Sequence, residues 1–185
     1  MTKNVVAQST PSIVVSIKPI HSIVTKIMDG VTKPELLLDS NSSAHTFHLK
    51  PSQIKMISNA DLVIVISENF ELGLRKALKN INEDSHLKIS ELDQLIIHNS
   101  RGEAIYNKNE GSSKFDFHLW LDVNNMQLIA TYISNIIIEL DPKNKHIYSE
   151  NLKELNLELD ELKQQIKLQL APFSSTPFAI YSDTL

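Results

Sequence analysis

The chain has 185 residues, 42% of them hydrophobic and 22% charged, with a net charge of −4. That length can bury one good core, or one full domain plus part of another, and the mildly acidic balance gives no electrostatic reason to expect nucleic acid or an anionic membrane as partner. Cysteine is absent, which excludes disulfide frameworks, thiolate zinc sites and cysteine nucleophiles, so any metal site must be built from His, Asp, Glu and water.

The opening stretch MTKNVVAQSTPS holds no apolar run of signal-peptide length, and no segment approaches the roughly 20 apolar residues of a membrane span. The expectation is a soluble chain with no visible export signal. Ile13 to Ile17 is a β-branched run that predicts a central strand, and Pro19 opens a helix with Ile20, Ile23, Val24 and Ile27 on one face. Gly30 ends that helix, and Pro34 to Leu38 returns as a second strand. Pro51 to Ser58 predicts a helix with Ile54 and Ile57 facing inward. Leu62 to Ile66, LVIVI, is the most strand-like segment and is expected to be buried on both faces. Strand, helix, strand, helix, strand implies a parallel sheet.

Phe70 to Lys79 predicts a helix packing through Leu72, Leu74 and Leu78, and His86 to Ile89 an edge strand. Ser90 to Lys114 is weakly patterned, with a solvated, mobile loop around Asn107 to Ser113. From Asp122, an N-cap, the spacing of Met126, Ile129, Ala130, Ile133, Ile137 and Leu140 predicts a helix. Asp141 and Pro142 read as the N-cap and first position of another, unbroken to about Leu170 and roughly 43 Å long. Its apolar stripe is Leu152, Leu155, Leu159, Leu162 and Ile166. A helix of that length reads as a strut. After a loop over Ala171 to Pro177, Phe178 to Tyr181 begins another strand, read as the start of a second lobe cut short.

Two histidine stretches stand out. Asp39 to Ser52, DSNSSAHTFHLKPS, places His45 and His48 in a polar loop between an apolar strand and a helix start. Neutral imidazole is a common ligand for zinc-like metals, and loops at the carboxyl ends of strands are where open α/β sheets bind ligands. Phe115 to Asp122, FDFHLWLD, places His118 among aromatic and apolar residues just before a capped helix. Taken alone, His45 and His48 read as solvated loop residues sooner than as ligands, and His118 as a core histidine. His21, at the start of the first helix, reads as a helix-surface residue near the same sheet edge; His86, His98 and His146 receive no chemistry, and Trp120 is a core or cleft-wall residue. No G-x-S-x-G elbow, P-loop or G-x-G-x-x-G is present, and four glycines leave little room for a phosphate cradle. A small zinc hydrolase would need a base beside His118, for which Asp116 is the nearby candidate.

The segments IVVSIKPIHSIVTKIMDGVTKPELLL, SSAHTFHLKPSQIKMISNADLVIVIS and DFHLWLD, with a long helix leading to FAIYSD, carry a family resemblance. Their ordered H-x-x-x-L-[KR]-P-S and H-x-W-x-[DSN] motifs resemble the zinc- or manganese-binding receptors of ABC importers, the ZnuA-like and TroA-like solute-binding proteins. The resemblance implies an α/β fold in which a parallel-sheet lobe (1–140) is followed by a long linker helix (141–171) and the first strand of a second lobe (172–185). It implies a monomeric periplasmic receptor, not an enzyme, that binds Zn²⁺, with Mn²⁺ the second candidate, and delivers it to a membrane permease. The alternative is a truncated remnant that has lost binding. By motif match His45 resembles the first metal ligand and His118 the second. His48 has no counterpart in the motif and is offered as a third nitrogen on proximity alone. Ser182-Asp183 stands where the family has His-Asp, the usual fourth ligand position lies past Leu185, and Arg101 to Lys114 contains no histidine.

Overall fold

The computed structural model describes residues 10–38, 47–99 and 114–177. Four strands, β1 (Ile13–Val15), β2 (Glu35–Leu36), β3 (Leu62–Val65) and β4 (His86–Lys88), form one sheet in the order β2-β1-β3-β4. Every pairing is parallel, with Val14 opposite both Glu35 and Val63, and Val63 opposite His86. All residues of β1 and β3 are buried, as continuous β-branched runs in a doubly covered sheet must be. Between these two central strands the chain reverses its direction of winding, the place where open α/β sheets leave a crevice at their carboxyl ends.

Helix α1 (Lys18–Ile27) holds Pro19 in its first turn, which that residue's fixed φ suits, and buries Ile20, Ile23, Val24 and Ile27, the four residues its spacing predicts. In the turn that follows, Gly30 takes a φ of +77°, a conformation that strains other residues. Helix α2 (Pro51–Asn59) ends where predicted but buries Ile57 alone, leaving Ile54 exposed. The helix expected over Phe70 to Lys79 is instead a 3₁₀ turn (Leu72–Leu74) running into a single α-turn, α3 (Arg75–Leu78), with Leu72 exposed. β4 is the sheet edge, as expected.

Asp122 caps α4 (Val123–Leu140), its Oδ1 accepting the amides of Asn124 at 2.7 Å and Asn125 at 3.4 Å. The strut differs from expectation at its start. A 3₁₀ turn (Pro142–Asn144) precedes α5 (Lys145–Leu170), whose 26 residues span about 39 Å. Asp141 does not cap it: Oδ2 accepts the buried Tyr148 hydroxyl at 2.8 Å and the Asn144 amide at 2.7 Å, so the carboxylate turns inward to fasten the α4–α5 corner. Tyr148→Phe is therefore expected to cost about 1–3 kcal/mol, because it strips a donor from a buried carboxylate. Chemical denaturation measures it, and an unchanged midpoint would contradict this account of the corner.

The first half of α5 packs on α1 and α4 through Tyr148, Leu155 and Leu159. The Asn151 amide donates to the carbonyls of Ile27 and Asp29, both at 2.9 Å, satisfying groups that the end of α1 leaves without helical partners. The predicted apolar stripe does not stay buried: Leu162 and Ile166 are 44% and 40% exposed, since the sheet lobe ends before the helix does. Among the described residues no helix is long and apolar enough to cross a membrane. The strand expected at Phe178 to Tyr181 and the loop around Asn107 to Ser113 lie outside the described residues.

Candidate metal site

His118 is held by its own neighbours. Its Nδ1 lies 2.7 Å from Asp116 Oδ1, and the same oxygen accepts the His118 backbone amide at 3.0 Å. A carboxylate only accepts, so it assigns the proton to Nδ1 and gives Nε2 the lone pair that a divalent ion needs. This is the arrangement by which metal-binding histidines are usually oriented, and it makes Asp116 a positioning group rather than a base.

Two aromatic edges fix the ring plane. Phe70 meets His118 at a centroid distance of 5.3 Å and an interplanar angle of 88°, and Trp120 meets it at 5.1 Å and 64°. Phe70 and Trp120 are also edge-on to each other, 5.8 Å apart. The turn carrying His118 and Trp120 is tied to its surroundings by the Asn125 side chain, whose Oδ1 accepts the Ile96 amide and whose Nδ2 donates to the carbonyls of Ile96 and Leu119. The Asp116 amide donates to the His98 carbonyl at 2.8 Å, and Asn99 bridges Phe115 in antiparallel fashion.

The described chain on either side of residues 39–46 is anchored: Leu37 and Leu38 extend the pairing with β1 through Val15 and Ser16, and Gln53 donates to the Leu37 carbonyl at 2.6 Å while accepting the Lys50 amide at 2.8 Å. Phe47, two residues past His45, is buried against Gly73 so closely that a β-carbon there would stand 2.5 Å from the Phe47 carbonyl oxygen. Gly73 in turn is three residues from Phe70. Phe47 and His118 thus both pack on one turn past the carboxyl end of β3, the first against Gly73 and the second against Phe70.

His45, Ser182 and Asp183 lie outside the described residues. His48 is exposed and does not line the cleft of about 720 Å³ that His118 shares with His98, Asp116, Asp122, Lys163 and Ile166. Among the described residues no group of three His, Asp or Glu side chains is arranged to hold a metal ion. Sequence reasoning singled out His118 and weighed Asp116 as a base. It passed over Phe70 and Gly73, for which the available signal was a glycine inside an otherwise helical pattern, a mark of close approach.

Just behind the site, Glu71 is completely buried. Its Oε2 accepts the backbone amides of Ile66 at 2.7 Å and Ser67 at 3.1 Å. Burial pushes its pKa up from 4.5 to about 7, against the opposing pull of the nearby Ser16 hydroxyl and the two amides.

A small parallel α/β lobe whose imidazole-bearing segment sits at the carboxyl end of a central strand, with a long helix along its flank, has the architecture of a solute-binding protein. Residues 13–185 match the family described as ZnuA, zinc-uptake complex component A periplasmic, and the chain belongs to that family. The high-affinity zinc uptake system protein ZnuA of Brucella abortus is 27% identical over 92% of this chain and 61% of its own length. An uncharacterized protein of Rickettsia prowazekii is 32% identical over 85% of this chain and 47% of its own. Among solved structures, a ZnuA deletion mutant with zinc bound superposes with a TM-score of 0.76 at 27% identity, covering 89% of this chain and 60% of that one. The chain thus spans about three-fifths or less of these relatives.

Proposed function

We propose that this chain is the zinc-capturing part of an ABC-importer receptor, working in the periplasm and passing the ion to a membrane permease. His45 and His118 contact the ion, and Asp116 orients His118. Residues 1–140 act as the capture lobe, 141–171 as the linker helix and 172–185 as the beginning of a second lobe. No reaction is catalysed. The observation that carries this reading is the His118–Asp116 pair, 2.7 Å apart, which packs through Phe70 on the turn whose Gly73 receives Phe47. Zinc is favoured over manganese because two imidazoles suit it better than an oxygen-loving ion.

Isothermal titration of the metal-free chain with zinc tests it. His45→Ala and His118→Ala should each weaken binding about 100-fold or more, since losing a ligand costs at least what losing its outer partner costs, and Asp116→Asn about 10–100-fold. Equal, weak heats in the native chain and all three variants would remove metal capture from the account.

A further inference from the structure

The residues between β3 and α3 make contacts that metal capture does not by itself require. Ser67 accepts the amides of Phe70 at 3.0 Å and Glu71 at 2.9 Å, and the Glu71 carboxyl folds back to take the amides of Ile66 and Ser67. The turn is therefore closed from both directions onto the last residues of the central strand. Its outer side carries Phe70, edge-on to His118 and Trp120, and then Gly73, which admits Phe47. One short turn thus sets the packing of both Phe47 and His118.

Glu71 is the ionisable side chain buried within this closure; on its outer side Glu68 pairs with Lys88 at 2.9 Å, and Arg75 donates to the Glu68 carbonyl at 2.8 Å and to the Asn69 side chain at 2.9 Å. The groups that face Glu71 are the Ser16 hydroxyl from the end of β1 and the two amides from the end of β3; no charged group contributes to its environment. Its Oε1 and the Ser16 hydroxyl are both buried without a completed hydrogen bond. A hydrogen placed between them would satisfy both atoms while Oε2 keeps its two amides, and the amide of a glutamine could supply the same pattern.

We propose that Glu71 is a positioning residue for metal capture: by clamping the Ser67–Gly73 turn to the end of β3, it fixes Phe70 against His118 and so sets where the imidazole points. This rests on His118 being a metal ligand, but the clamp itself acts in the metal-free protein. Loss of the clamp lets the turn relax, and the imidazole gains freedom that it must give up again on binding.

The test uses the metal-free chain, with ¹⁵N signals of the His118 ring and the emission of Trp120, the sole tryptophan, read alongside zinc titration. Glu71→Ala should shift both signals and lower zinc affinity about tenfold, and Glu71→Gln should restore them, because the amide keeps the acceptor for Ile66 and Ser67. Should Glu71→Ala fail to fold, Phe70→Leu cuts the same connection one step later and should move the His118 and Trp120 signals. Native-like signals in the folded Glu71→Ala or in Phe70→Leu would overturn the proposal, as would a glutamine variant no better than alanine. A native chain that bound no zinc would refute the receptor reading, while the metal-free signals would still decide the role of Glu71.

Discussion

Glu71→Gln is expected to stabilise the protein by about 3 kcal/mol near pH 8 and by almost nothing near pH 4.5. Burial lifts the carboxyl to about 7 from its ordinary 4.5. Between those values the folded chain keeps a proton that the unfolded chain releases. Stability therefore falls as pH rises through that window and levels off above it. Glutamine has no proton to lose, so the difference between the two proteins isolates the effect. Other groups cancel, including Glu68, which Lys88 at 2.9 Å holds below the usual carboxylate range and which acts in the opposite direction. For a chain of this size the gap should read as roughly 6–12 °C in Tm at the higher pH. Parallel melting curves for both proteins across the window would mean that Glu71 is not a buried acid.

Gly73→Ala should cost about 1–3 kcal/mol, although alanine normally favours a helical turn. The backbone at Gly73 is unstrained; what the position lacks is space. The added carbon would lie 2.5 Å from the Phe47 carbonyl oxygen and 3.0 Å from its ring. A backbone oxygen cannot rotate away as a side chain can, so the whole Phe47 segment must retreat. Because Phe47 is two residues from His45, zinc affinity should fall together with Tm. Calorimetric melting and zinc titration on the same variant check both, and unchanged values would show that Phe47 is not held by this contact.

Much of the lobe was legible from local pattern. The runs at Ile13 and Leu62 specified the central strands, and four apolar residues at helical spacing specified the buried face of α1, because such faces are set by periodicity alone. Asp122 was readable as a cap because capping is decided within one turn of chain. Ile54 and Leu72 misled for the converse reason: their spacing fits a buried face, but the sheet lacks the extent to cover them. Asp141 preceding Pro142 carries a helix-start signal, yet Tyr148 is buried at the corner and its hydroxyl takes the carboxylate inward. Leu162 and Ile166 continue the stripe of Leu155 and Leu159 past the end of the lobe that buries the first two.

The candidate site divides along the same line. The sequence singles out His118 just before a helix capped by Asp122, a placement that short stretches of chain specify. The proton on His118 is placed locally by Asp116, two residues away, but which ring braces His118 and why position 73 is crowded depend on Phe70 and Phe47 meeting partners across the fold. Periodicity and capping act over a few residues and survive in the linear order. Contacts between segments dozens of residues apart exist only once the parallel sheet has brought their ends to one edge.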